Sequence, residues 1–150
     1  MNWKSRSAAV LAVVAVAACN DSTGAGNGIE VADLVGTWNA TVLEFTNQAN
    51  TSQKVDLIAM GGSVSMVVSS NGNYALTITF PGDPAEVEAG TISINGNLLT
   101  LTETGEVDPT EFVANLSGNT LTLTSSDEEY DFDDDDSDEP ASLRVVFAKQ

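Results

Sequence analysis

Two stretches decide the fold: SINGNLLTLT at Ser93–Thr102 and NLSGNTLTLT at Asn115–Thr124. Each sets a short Asn/Ser-Gly-Asn turn before a run in which leucine and threonine alternate. Asn and Gly tolerate the positive φ that a tight hairpin needs, and alternation of period two places every second side chain on one face of a strand. A third turn, Asn71-Gly72-Asn73, leads into Tyr74, Leu76, Ile78 and Phe80, with Ala75, Thr77 and Thr79 on the opposite face. Working back, Val64, Met66 and Val68 alternate with serines, a short strand is expected near 54–59, and Trp38, Ala40 and Val42 share a face of a first strand at roughly 37–45. Working forward, Ile92 and Ile94, Phe112, Ala114 and Leu116, and finally Leu143, Val145 and Phe147 continue the pattern. From Val35 onward nothing reads as a helix.

The repeated turns predict an all-β domain built as an antiparallel meander. Such a sheet has two exposed edges, and closure into a barrel of roughly 8–10 strands removes them; a β-sandwich is the alternative. The inward set is Trp38, Val42, Met66, Tyr74, Leu76, Ile78, Phe80, Ile92, Leu101, Phe112, Leu123 and Phe147. These are the expected core, and a barrel of eight strands is wide enough to hold one small ligand. Trp38, Met66, Tyr74, Ile78, Phe80, Phe112 and Phe147 are therefore the candidate ligand-binding residues.

Charge narrows the function. The chain carries a formal charge of -17, and beyond residue 18 its only basic residues are Lys54, Arg144 and Lys149 against 22 acids. A field of that sign repels phosphate backbones and anionic headgroups, so nucleic acid is not an expected partner. There is no histidine, and the single cysteine, Cys19, permits no disulfide within the chain. No nucleophile motif is present, and no two carboxylates are expected on adjacent inward strand positions. An enzyme is not expected.

The amino terminus has its own pattern: Lys4 and Arg6, then AAVLAVVAVAA at 8–18, then Cys19. The apolar run is too short to span a bilayer, which takes about 20 residues, and reads as a secretory signal. Val16-Ala17-Ala18-Cys19 resembles the lipobox of bacterial lipoproteins. The resemblance implies a signal peptide at 1–18, a diacylglycerol on the Cys19 sulfur, often a second acyl chain on its new amino group, and attachment to the membrane through that lipid. Residues 19–30 then form a polar, glycine-rich tether, and 31–150 the domain. Asn20 rather than an acid after the cysteine points to the outer membrane of the cell envelope over the inner. A monomer is expected, and no protein partner can be read.

Leu34-Val35-Gly36-Thr37-Trp38 resembles the Gly-x-Trp opening of lipocalins and of lipocalin-like domains in bacterial lipoproteins, which a short turn such as Val31-Ala32-Asp33 precedes. The resemblance implies a barrel floor closed by Trp38, with a last-strand arginine packed over it. Arg144 is the residue expected there, as a cation–π partner. Besides carrying or sensing a small apolar ligand, such a barrel could serve as an interaction module.

The acidic tract from Asp127 to Glu139 is read as a solvated loop between the last two strands. Asp131, Asp133 and Asp135 have the alternate spacing that opens a calcium loop, so weak Ca²⁺ binding is the second reading. The glycine and flanking helices of an EF-hand are missing. No other cofactor is expected.

Overall fold

The computed structural model describes residues 28–135 and 137–150; the expected leader at 1–18 and Cys19 lie outside them. Helix α1 (Val31–Leu34) precedes nine strands: β1 (Gly36–Asn47), β2 (Lys54–Asp56), β3 (Ser63–Val68), β4 (Asn73–Thr79), β5 (Glu86–Asn95), β6 (Leu98–Glu103), β7 (Thr110–Ser117), β8 (Thr120–Tyr130) and β9 (Glu139–Lys149). Strands β3 to β9 follow one another in an antiparallel meander, and β1 pairs with both β3 and β9, so eight strands form a closed ring. Strand β2 is an addition on one edge of β1. The β1–β9 pairing makes a barrel of what the sequence also allowed to be a sandwich. No described helix is long and apolar enough to cross a membrane.

Strand β1 serves two neighbours on one edge. Gly36–Asn39 pair with β3, and Glu44–Thr46 pair with β2. On its other edge it runs the length of β9, with a register shift that leaves Thr41 unpaired between Ala40 and Val42. A bulge of one residue exchanges the two faces of a strand. Below it Trp38 is buried; above it Leu43, Phe45 and Asn47 are buried. Val42, expected inside, therefore faces outward. Asp56 fastens the far side of this irregular stretch, its Oδ1 accepting from the amides of Leu43 at 3.2 Å, Ile58 at 3.0 Å and Ala59 at 3.3 Å.

The ring has two unlike ends. The glycine turns after β3, β5 and β7 lie at the end where β1 begins and β9 finishes. Helix α1 closes that end: Trp38 is fully buried and its indole Nε1 donates to the Leu34 carbonyl at 2.7 Å. The cation over the ring is Lys149, 5.0 Å from its centroid, whose Nζ also donates to the Asp33 carbonyl at 3.1 Å. Arg144 is not there. Leu143, Val145 and Phe147 point inward, so Arg144 must point outward, where it lies 3.6 Å from Glu44. Lys149 has the inward parity and stands opposite Trp38 in the register. Gly36, at φ +138°, lets this lysine cross: a Cβ there would sit 2.9 Å from Lys149 Cε.

Replacing Lys149 by Met should cost about 1 kcal/mol in urea unfolding, through loss of the cation–π contact and its hydrogen bond. Arg144→Met removes only a half-exposed ion pair and should change stability by no more than about 0.5 kcal/mol.

Candidate binding site at the open end of the barrel

At the end opposite α1 the described residues include no helix; the turn between β2 and β3 contributes the buried Leu57 there, and the remaining side chains divide by chemistry. The lower interior is filled: Trp38, Leu99 and Leu121 are all 0% exposed, and Met66 and Phe147 are nearly so. Of the seven candidate ligand residues, Trp38, Met66 and Phe147 thus belong to the packed floor. Ile78 and Phe112 stand higher, each 9% exposed, and Phe80, just past β4, is partly exposed. The Phe80 ring packs against Gly62, where a Cβ would lie 2.8 Å from it. Leu76 in β4 and Leu101 in β6 have inward parity and pack against the core, yet remain partly exposed.

That same wall carries carboxylates. The register pairs Leu76 with Glu88, Tyr74 with Gly90, and Gly90 with Glu103. Because paired residues share a face, Glu88 and Glu103 both look inward from neighbouring strands. This corrects the expectation that no such pair exists. Gly90 brings the strands together: a Cβ on it would come within 2.8 Å of the Thr102 carbonyl carbon. Burial raises the pKa of Glu88, with the charges of Glu103 and Glu86 adding to the effect. Tyr74 is pushed up to about 12 by burial first and then by Glu88 and Glu103. The three groups form one electrostatic unit on an otherwise apolar wall.

A second bulge, between Ser125 and Glu128 in β8, does for that strand what Thr41 does for β1. It sets Glu128 opposite the fully buried Ala141 and so turns it inward. Burial raises the pKa of Glu128, against a hydrogen bond from Ser125 that lowers it. Above it Tyr130 stacks on Phe45 at 4.8 Å and meets the edge of Phe132 at 5.0 Å, which props the rim. The acidic tract is accordingly not all loop: Asp127 to Tyr130 belong to β8, and β9 starts at Glu139.

For the metal candidates, the structure brings Asp131 and Asp133 together with Glu139 rather than with Asp135, the carboxylate oxygens lying within 4.8 Å of one another. Asp135 instead closes its own turn, accepting from the Ser137 amide at 2.9 Å. Asp131 and Glu139 are partly buried and Asp133 is exposed.

A shallow groove of about 470 Å³ on the outer wall, bordered by Glu44, Lys54, Thr124 and Arg144, contains none of the candidate ligand residues. Sequence reading missed Glu88, Glu103, Glu128 and Asp56, and placed Arg144 ahead of Lys149, the other basic residue available over Trp38. For Glu103 a signal was present: counting outward from the Gly96-Asn97 turn places it opposite Gly90.

Residues 34–123 match the family model described as a lipocalin-like domain, from Leu34 in α1 to Leu123 in β8. No curated protein matches the chain.

A carboxyl whose pKa is higher folded than unfolded holds its proton more tightly in the native state, so ionising it opposes folding. The contribution of Glu88 is fully present below its ordinary value of 4.5 and is lost as pH rises through the folded value. Glu88→Gln should therefore melt a few degrees above wild type at pH 7, and the difference should vanish near pH 4. Thermal melts across that range check it.

Proposed function

The chain belongs to the lipocalin-like domain family, and on that premise we propose that it is a lipid-anchored envelope protein whose barrel takes a small apolar ligand through its open end, without catalysis. One observation carries the binding reading. Leu76, Phe80 and Leu101 face the interior but stay partly exposed, while the residues below them are sealed. Apolar side chains left within reach of water inside a barrel are the surface that an apolar ligand would cover. The floor at Trp38 sets the depth of the site.

The anchor is Cys19, in the Val16-Ala17-Ala18-Cys19 context. Each buried methylene contributes about 0.8 kcal/mol, so one acyl chain holds marginally and two or three hold firmly. The placement is the bacterial cell envelope, at the outer membrane. A second reading, an interaction module that binds nothing inside, is favoured by the complete filling of the lower half.

An uncharged solvatochromic dye such as Nile red separates the two. Wild type should enhance its fluorescence saturably at one site, and Leu101→Trp, which fills the upper interior, should weaken binding at least tenfold while retaining a cooperative melt. Absence of saturable binding, with no co-purifying lipid by mass spectrometry, sinks the carrier reading and leaves the interaction module. Metabolic labelling with a fatty acid tests the anchor: label should enter wild type and be absent from Cys19→Ala.

A further inference from the structure

We infer that the barrel stands with its closed end against the membrane and its open end facing away into the aqueous phase. The inference rests on the Cys19 anchor and adds to it a direction. Two independent features of the domain carry it: where the chain leaves the barrel, and how charge is divided between the ends.

The described chain begins at the closed end. A methyl group on Gly28 would lie 3.6 Å from the Gly96 carbonyl oxygen, in the turn between β5 and β6. Nine residue steps separate Cys19 from Gly28, a reach of about 30 Å when fully extended. The 11 residues of β9 rise along a tilted strand, so the barrel is about 25–30 Å tall. To set the open end on the bilayer, the segment would have to run taut down the whole outer wall. With the closed end at the surface it needs only a fraction of its length.

Charge points the same way. The turns at the closed end, 69–72, 96–97 and 118–119, hold only Ser, Asn and Gly, and Lys149 stands among them over Trp38. The acids at that end, Glu30 and Asp33, are tied up in the capping of α1. Of the loops at the open end, 80–85, 104–109 and 131–138 carry Asp83, Glu106, Asp108, Asp131, Asp133, Asp134, Asp135 and Asp138, while 48–53 and 57–62 carry no charge. An anionic headgroup layer repels that rim far more than the closed end, where Glu30 and Asp33 are offset in part by Lys149. Three large apolar side chains are exposed toward the open end, Met60 at 66%, Val87 at 68% and Val107 at 89%. Val87 and Val107 each sit between two carboxylates, Glu86 and Glu88 or Glu106 and Asp108, so neither can enter a headgroup layer without bringing charge, whereas Met60 stands alone on an uncharged turn.

A ligand for the open end therefore arrives through solvent or from a facing surface, rather than from the leaflet that holds the anchor.

The test uses the full lipidated chain in vesicles of phosphatidylethanolamine and phosphatidylglycerol. A donor dye is placed on Asn119→Cys at the closed end or Val107→Cys at the open end, with an acceptor on lipid headgroups. Energy transfer should be several-fold greater from Asn119→Cys. Equal or reversed transfer overturns the orientation. If the expressed chain carries no acyl group and stays off the vesicles, it is the anchor reading that fails. The orientation is then measured on the same chain coupled through its Cys19 thiol to a maleimide phospholipid, the introduced cysteines being replaced by an aminoacyl dye at the same positions, and the same outcomes decide it.

Discussion

Strand β1 has to meet β9 along its whole length while its other edge is shared between β3 below and β2 above, and the unpaired Thr41 makes these demands compatible. Without the extra residue, Trp38 and Phe45, separated by an odd number of positions, would face opposite sides of the sheet. One could be buried only by exposing the other. With it, Trp38 seals the floor and Phe45 supports the rim against Tyr130. Burying an aromatic side chain is worth about 2–3 kcal/mol, so this shift of one residue governs a large share of the stabilisation that β1 supplies. The bulge in β8 repeats the device with a different result, because there the side chain carried inward is a carboxylate.

Much of this architecture could be read beforehand, for a physical reason. Hairpin turns made by Asn-Gly and leucine–threonine alternation are local signals, and a meander is a fold in which local signals suffice, since each strand pairs with the next. The family match and the closed ring agree with that reading. The misreadings lie where locality fails. A bulge leaves no mark in hydrophobicity, so Val42 was assigned to the wrong face and Glu128 was not seen as an interior group. Assigning Arg144 to Trp38 was a different error: the alternation Leu143, Val145, Phe147 already excluded it and favoured Lys149 by parity. Asp135 was grouped with Asp131 by spacing, whereas the antiparallel return of β9 supplies Glu139 from across the loop.

At the open end, the interior is neither a plain greasy pocket nor a polar channel. Leucine and phenylalanine line it, yet Glu88, Glu103 and Tyr74 share one wall, where the charges of both carboxylates make Tyr74 harder to ionise and Glu103 does the same to Glu88. Glu88 in such a place opposes folding when charged. Its cost is tolerable because the filled lower half and the Trp38 floor supply stability. Stability and access are thus assigned to opposite ends of one small barrel.

The pairing of β9 with both β8 and β1 has a temporal consequence. The strand that shuts the ring follows the other eight described strands in the chain, and the lysine that covers the floor is its last residue. Until that segment is in place, β1 and β8 remain unpaired edges about 80 residues apart in the chain, and closing them is a slow, non-local event. A barrel closed in this way cannot lock into its final shape before β9 is available to both of its neighbours.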